Sequence, residues 1–527
     1  MSENPQRGPA LGRAGSRVAI LLLLAAGLAL LVSSCGGDGD SSSSSSSGGY
    51  QLTGTGYPNG DLSNTRQVGG PINTTNVNEL DIAWNLLLRG EGAFGSYAAS
   101  PVISKGVVYS QDLASNVQAI KQENGEVIWK RLYELPSLGP NGVTVADGRV
   151  YGATPTAAFA LDQKTGKQLW SVTLTRNEKE GINMAPGYND GTVYVSTTPT
   201  NAASLYAGEG VGILWALDAK TGKKLWKWNT VPNDLWGDPK VNSGGGLWYT
   251  PAFDDKGFVY FGVGNPAPFP GTPKSPYGES RPGPNLYTNS IVKLNGKTGK
   301  MEWYFQLNPH DIYDWDLQGP PILVKSKGKE IVLAAGKVGW VVALDAESGK
   351  LIWKKPVGTH NGHDEDGLYA MRGEYDKIKK GTVYPGVLGG VIAPMATDGT
   401  TVFAPVVNGP AEAISGSETG EGGTVAPSGE IVALDVATGQ IQWKHKFPTA
   451  PAYGATTVVN DLVFTTTFDG KVHGFDTSSG REAWQVSLPA GSNAGVMAEG
   501  DTLIASAGLA VAEGQIPQLI AYRLGGQ

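Results

Sequence analysis

The sequence predicts an all-β protein, an eight-bladed β-propeller closed by strands from both ends of the chain. Two observations predict it: a tryptophan-bearing motif recurs along the chain, and its last copy is cut in two. The abundance of glycine and proline, 75 and 33 residues, suits many short strands and turns. The motif is clearest at Ala216–Trp226, ALDAKTGKKLW. Copies stand at Ala160–Trp170, Ala343–Trp353 and Ala433–Trp443, with looser ones at Ala119–Trp129, Lys293–Trp303 and Gly474–Trp484. Each reads as strand, tight turn, strand, because apolar residues alternate on either side of the turn. Asp218 can bond its own backbone in an Asx-turn, and Gly222 supplies the position with φ > 0. A tryptophan at one place in every copy reads as a wedge between neighbouring sheets.

The motif tryptophans Trp129, Trp170, Trp226, Trp303, Trp353, Trp443 and Trp484 account for seven units. Gln518–Leu524 (QLIAYRL) is the first half of an eighth, and the missing half is Asp81–Leu88 (DIAWNLLL) with Trp84. A ring closed by one strand from each terminus leaves no free sheet edge. A repeat near 40 residues built from strands points to a propeller rather than a helical solenoid.

Ahead of the repeats, Arg7, Arg13 and Arg17 precede an apolar run, Val18–Val32, that ends at Ser33-Ser34-Cys35. This resembles a bacterial lipoprotein signal over residues 1–35, which would leave Cys35 lipidated. An uncleaved anchor is the other reading; either one places the propeller outside the cytoplasm, attached to the membrane. Residues 36–49 include seven consecutive serines, Ser41–Ser47, and read as a flexible tether. The propeller occupies 50–527. Its longest gaps between motif tryptophans place insertions near 265–285, 357–382 and 408–429, read as lids over one face of the ring. Cys35 is the only cysteine, so the chain offers no disulfide, Cys-based zinc site or Cys-x-x-Cys-His haem attachment. A formal charge of −7 without a basic cluster argues against nucleic acid, and no nucleotide-binding glycine fingerprint points to NAD.

Three stretches stand out against the repeat. In Gly244–Asp254 (GGGLWYTPAFD), Trp248 lies off the motif position after three glycines, which suits an indole lying flat under a planar ligand and equally a further core tryptophan. In Tyr260–Phe269 (YFGVGNPAPF), Asn265 ends an apolar strand before a proline; its amide oxygen suits a hard cation, while the stretch taken alone favours an ordinary Asn-Pro turn. In Asn308–Gln318 (NPHDIYDWDLQ), Asp311, Asp314 and Asp316 sit among aromatics. Read as a strand, the segment projects Asp314 and Asp316 to one face. Two close carboxylates need a cation or a shared proton between them, an arrangement that suits a metal site with one carboxylate kept as a base. His360–Asp366 (HNGHDED) pairs two histidines with three acids and reads as a solvated acidic loop in preference to a metal site.

In this order, these stretches resemble the quinoprotein alcohol dehydrogenases, which use pyrroloquinoline quinone (PQQ). The family opens with a segment similar to Gly60–Arg66 (GDLSNTR) and carries a tryptophan after glycines, Gly-Asn-Pro at a strand end, and Pro-His-Asp-x-x-Asp-x-Asp. The resemblance implies that Trp248 is the floor under PQQ. It makes Lys337, in Ala335–Trp340, the basic residue against the quinone oxygens. Asp314 becomes the catalytic base, and Glu209, Asn265, Asp314 and Asp316 the ligands of a Ca²⁺ or lanthanide ion. Asn141 stands where the family has an arginine, Val391-Ile392 where it has Asn-Trp, and the family's adjacent cysteines are missing. The expected function is PQQ-dependent oxidation of a small alcohol-type substrate, with electrons leaving to a separate acceptor. The alternative is a non-catalytic propeller lipoprotein acting as a scaffold or binding module.

Overall fold

The computed structural model describes residues 56–201, 208–415, 418–421 and 427–526. Cys35, the signal segment and the serine tether lie outside the described residues. Among the described residues, no helix is long and apolar enough to cross a membrane.

Eight sheets, each with four antiparallel strands, form the blades, in chain order 102–131, 144–173, 187–229, 252–306, 322–356, 396–447 and 457–487, with 497–524 completed by Leu80–Leu87; the seventh gains a fifth strand, Gln67–Val68, parallel to its first. In the eighth blade Trp84 pairs with Ala521 and Leu87 with Gln518, so the two ends of the chain share one sheet as the split repeat predicts.

The repeat explains how blades join. The indole N–H of Trp170 donates to the carbonyl of Ala219, in the next blade's turn, at 3.0 Å. Trp84, Trp129, Trp226, Trp303, Trp353 and Trp443 make the same bond to Gln122, Gln163, Gly296, Ala346, Val436 and Thr477, at 2.8–3.2 Å. The ring plane lies on the turn glycine of that next blade. A Cβ on Gly222 would stand 2.8 Å from the Trp170 indole, and Gly222 has φ +73°. Glycine therefore serves the turn's handedness and the wedge together. Asp218 Oδ1 accepts the N–H of Thr221 at 2.8 Å, the expected Asx-turn. Into the eighth blade the pattern changes because its last strand comes from the N-terminus. There Trp484 packs edge-on against Tyr522, with ring centroids 5.6 Å apart.

Residues 56–68 run along the inner strands. Carbonyls of Gly56, Leu62, Ser63, Thr65 and Arg66 accept N–H groups of Val145, Phe253, Leu323, Thr397 and Val458, in blades 2, 4, 5, 6 and 7. Arg66 is fully buried. Its guanidinium donates to the carbonyls of Thr456, Pro58 and Val496, to Asn59 Oδ1, and to the hydroxyls of Ser100 and Thr457, at 2.6–3.1 Å. Burial lowers its pKa to about 10, which leaves it charged at neutral pH. One side chain thus ties the threaded segment to blades 7 and 8 and to the approach to blade 1.

Arg66→Met should leave several buried carbonyls without donors and lower stability by more than about 3 kcal/mol. Lys121→Met, which removes an exposed pair with Glu126, should change it by less than about 1 kcal/mol. Denaturant midpoints of the two variants check this contrast.

Candidate active site

The expected site residues all lie on one face of the ring. In an antiparallel four-stranded blade, the connection from strand two to strand three and the crossing to the next blade leave from the same end. Glu209, Asn265 and Lys337 occupy the first kind of connection in blades 3, 4 and 5. Trp248 lies in the crossing from blade 3 to blade 4, and Asp314 and Asp316 in the crossing from blade 4 to blade 5.

At the centre is an ammonium between two carboxylates. Lys337 Nζ lies 2.7 Å from Asp314 Oδ2 and 2.8 Å from Asp316 Oδ2. Asp314 and Asp316 are buried, and Lys337 nearly so. The second oxygen of Asp316 accepts the backbone N–H of Asn265 at 2.6 Å, so Asp316 fastens the end of the blade-4 strand. Gly264 makes room for this: a Cβ there would lie 2.7 Å from Asp316 Oδ1 and 3.4 Å from Trp248 Nε1. Trp248, Asn265, Asp314, Asp316 and Lys337 therefore meet, and Trp248 stays partly exposed. Gly390 packs on the Lys337 backbone, where a Cβ would come within 2.2 Å of its carbonyl oxygen, and the Tyr249 hydroxyl donates to the Ile392 carbonyl at 2.9 Å.

Burial pushes the Asp314 carboxyl well above the ordinary carboxylate range; Lys337 opposes this and Asp316 adds to it. For Lys337, burial disfavours the charge, but the two aspartates outweigh burial and its pKa rises. Asp314 Oδ1 is buried with no hydrogen-bond partner.

The Asn308–Gln318 segment is not the strand its pattern suggested. Asp314 has φ +62°, the left-handed region, and Asp311 spans the bend by accepting the N–H of Tyr313 at 3.0 Å and of Trp315 at 2.8 Å. Asp314 and Asp316 share a partner because of that bend rather than a β pleat. Asp311, unassigned at the level of sequence, is the brace; its signal was an Asx position two residues ahead of Tyr313.

Glu209 does not join this group. It has φ +73°, its carboxylate is 54% exposed, and its nearest cation is Lys179 at 3.8 Å. The buried acid of that region is Glu180, held by Arg176 at 2.6 Å. The His360–Asp366 stretch is not solvated throughout: His363 and Asp366 are buried and paired at 2.7 Å, while His360 pairs with Asp364 at 2.7 Å. Asn141 is buried with its amide on the Asp112 carbonyl at 2.7 Å, and its own oxygen has no partner.

Sequence comparison places this geometry in context. The chain matches the glucose/ethanol/alcohol dehydrogenase β-propeller domain over residues 178–365. It is 28% identical over 482 residues to a quinohemoprotein alcohol dehydrogenase of Comamonas testosteroni, covering 79% of this chain and 66% of that protein. It is 29% identical over 493 residues to the quinoprotein alcohol dehydrogenase PedH of Pseudomonas putida, covering 80% and 79%.

Over most of its length the chain is similar to quinoprotein alcohol dehydrogenases.

The fold agrees. Quinohemoprotein alcohol dehydrogenase ADHIIG from Pseudomonas putida HK5 superposes with a TM-score of 0.76 at 24% identity, over 90% of this chain and 81% of that one. A europium-containing methanol dehydrogenase gives 0.73 at 20% identity, over 89% and 98%. Residues 387–526 match a second profile, that of the outer membrane protein assembly factor BamB. That stretch covers blades 6 to 8 and contains none of the site residues expected from the sequence.

The residues present fit a planar quinone: a partly exposed indole across Gly264 from Asp316, an ammonium held by Asp314 and Asp316, and a buried carboxylate oxygen of Asp314 without a partner. For a cation the donor set is smaller than the sequence implied. Among the described residues, no three acidic, histidine or cysteine side chains converge on one point. Asp314 Oδ1 and the Asn265 amide are the oxygens not already held by Lys337 or by Asn265 N–H.

Lys337→Met should leave Asp314 and Asp316 facing each other without a counter-ion. The folded-state pKa of Asp314, already raised by burial, then stands further above the unfolded one, so the folded protein holds an extra proton and stability falls as pH rises. The cofactor-free variant should lose about 3–5 kcal/mol at about pH 7.5 and less at about pH 5, read from denaturant midpoints at the two pH values.

Proposed function

We propose that this protein is an extracytoplasmic dehydrogenase that oxidises an alcohol-type substrate with PQQ and a cation, Ca²⁺ or a lanthanide, and passes electrons to a separate acceptor. The observation that supports this most is the buried Asp314–Lys337–Asp316 group beside Trp248, on a propeller whose relatives are named quinoprotein alcohol dehydrogenases. Trp248 would be the floor for the cofactor ring, Lys337 would face its quinone oxygens, and the Asn265 amide, held in place by Asp316, would meet the cation. The exposed Glu209 stands outside this set. When bound, PQQ supplies the hydride acceptor and the cation polarises its carbonyl.

Asp314 Oδ1, which has no other partner, takes the substrate hydroxyl proton. A carboxyl raised above its usual range is a stronger base than an ordinary aspartate. Lys337 grips the other oxygen and fixes the direction in which the free one points. Asp316 holds Asn265 in line through its backbone. Cys35 carries the lipid that keeps the protein at the membrane, in the periplasm or on the outer face. The match to an assembly factor favours a scaffold reading only for blades 6 to 8; a scaffold has no use for the buried carboxylates of blades 4 and 5.

Asp314→Asn should retain the fold and lower PQQ-dependent dye reduction by about 10²–10⁴-fold at saturating PQQ and cation. Undiminished turnover would remove Asp314 as the base. Absence of turnover in the unmutated, PQQ-loaded protein with alcohols, aldehydes and sugars would favour the scaffold reading. Cys35→Ser should move the protein from the membrane fraction to the soluble one; continued membrane attachment would count against the lipid anchor.

A further inference from the structure

The insertion between blades 5 and 6 carries the His360–Asp366 stretch, which the proposed chemistry does not use. Its buried half is turned toward the crossing that bears Asp314. The Tyr313 hydroxyl donates to Asp366 Oδ2 at 2.7 Å, and His363 Nδ1 meets the same oxygen at 2.7 Å. The Tyr313 and His363 rings meet edge-on, with centroids 5.9 Å apart. Trp315 Nε1 donates to the Pro385 carbonyl at 2.9 Å, at the far end of the insertion. Gly367 lies so near the His310 carbonyl that a Cβ would stand 2.1 Å from its oxygen. Both neighbours of Asp314 are thus tied to the insertion by their side chains, while Asp311 holds their backbones.

Asp314 is what needs the tie. An aspartate in the left-handed region is strained and stays there only when its surroundings over-determine it. Relaxation of that φ would swing the carboxylate away from Lys337. A base must also stand within a fraction of an ångström of its productive position, since a shift of about 1 Å costs about 10²-fold in rate.

We infer that Asp366, oriented by His363, is a positioning residue that holds Asp314 in its left-handed conformation through Tyr313. The catalytic part of this inference rests on the dehydrogenase reading; the mechanical part stands without it.

Tyr313→Phe removes only the hydroxyl, Asp366→Ala removes the acceptor, and Asp366→Asn keeps an oxygen for Tyr313. Trp340→Phe cuts the bond from Trp340 to Asp364 in the same insertion and serves as control. Hydrogen exchange of residues 308–318 is measured in the cofactor-free proteins, and kcat and KM in the PQQ-loaded ones. Tyr313→Phe and Asp366→Ala should speed exchange at 308–318 by about tenfold, with the other blades unchanged. The same two variants should lower kcat by about 10²-fold while KM changes by less than about twofold. Asp366→Asn should recover most of both effects, and Trp340→Phe should show neither. Unchanged exchange in Tyr313→Phe and Asp366→Ala would overturn the tie itself. Faster exchange with unchanged kcat would overturn its role in catalysis. If the wild-type protein turns over no substrate, the dehydrogenase reading and the catalytic part of the inference fail together, and exchange alone decides the tie.

Discussion

One contact carries the ring from blade to blade: an indole that rests on the next blade's turn glycine and donates its N–H to a carbonyl of that turn. The hydrogen bond by itself contributes about 1 kcal/mol, and the larger gain is the apolar area that the indole takes out of water. The contact ties three features of the motif into one. The aspartate shapes the turn, the glycine both turns the chain and leaves room for the ring, and the tryptophan closes the gap to the neighbouring sheet. Where the chain ends interrupt the motif, at the seventh and eighth blades, Tyr522 stands beside Trp484 instead. The threaded residues 56–68 and the buried Arg66 brace the inner strands, which the wedges do not reach.

A rigid ring allows a costly centre. Burying two carboxylates and an ammonium is unfavourable unless each is met by a partner in good geometry. Here Lys337 meets both acids and the Asn265 N–H meets one of them, which leaves a single carboxylate oxygen of Asp314 unmatched. An unmatched buried oxygen and a left-handed aspartate are both expenses of stability, and both fall on the residue to which we assign the proton transfer. Strain of this kind concentrates where a protein binds or reacts.

The places where the sequence misled are instructive. Glu209 sits in a glycine-rich context like that of the family's ligand, yet its left-handed φ accompanies an exposed carboxylate, and Glu180 is the buried acid held by Arg176. The Asn308–Gln318 segment alternates like a strand, but Asp311 binds two backbone N–H groups and bends it. The His360–Asp366 stretch has the composition of a solvated loop. Its fate was set by Tyr313, about fifty residues earlier, which offers Asp366 a buried partner. In each case the deciding partner is remote in sequence or acts through the backbone, and neither leaves a periodic trace.

The sequence by itself determined the architecture, because a repeated motif states the same local physics in each blade: strand alternation, an Asx-turn, a glycine with φ > 0 and a wedge. It also determined where ring closure occurs, since a split motif has one way to be completed. Most of the residues that the structure gathers around Lys337 were legible too, as departures from that repeat at Trp248, Asn265, Asp314 and Asp316. Only the tertiary structure decided which of them share a charge, that Lys337 stands between two acids, and that an insertion from beyond blade 5 grips the neighbours of Asp314. Those outcomes depend on ångström-scale distances between connections from different blades, and the ring, not any local pattern, sets those distances.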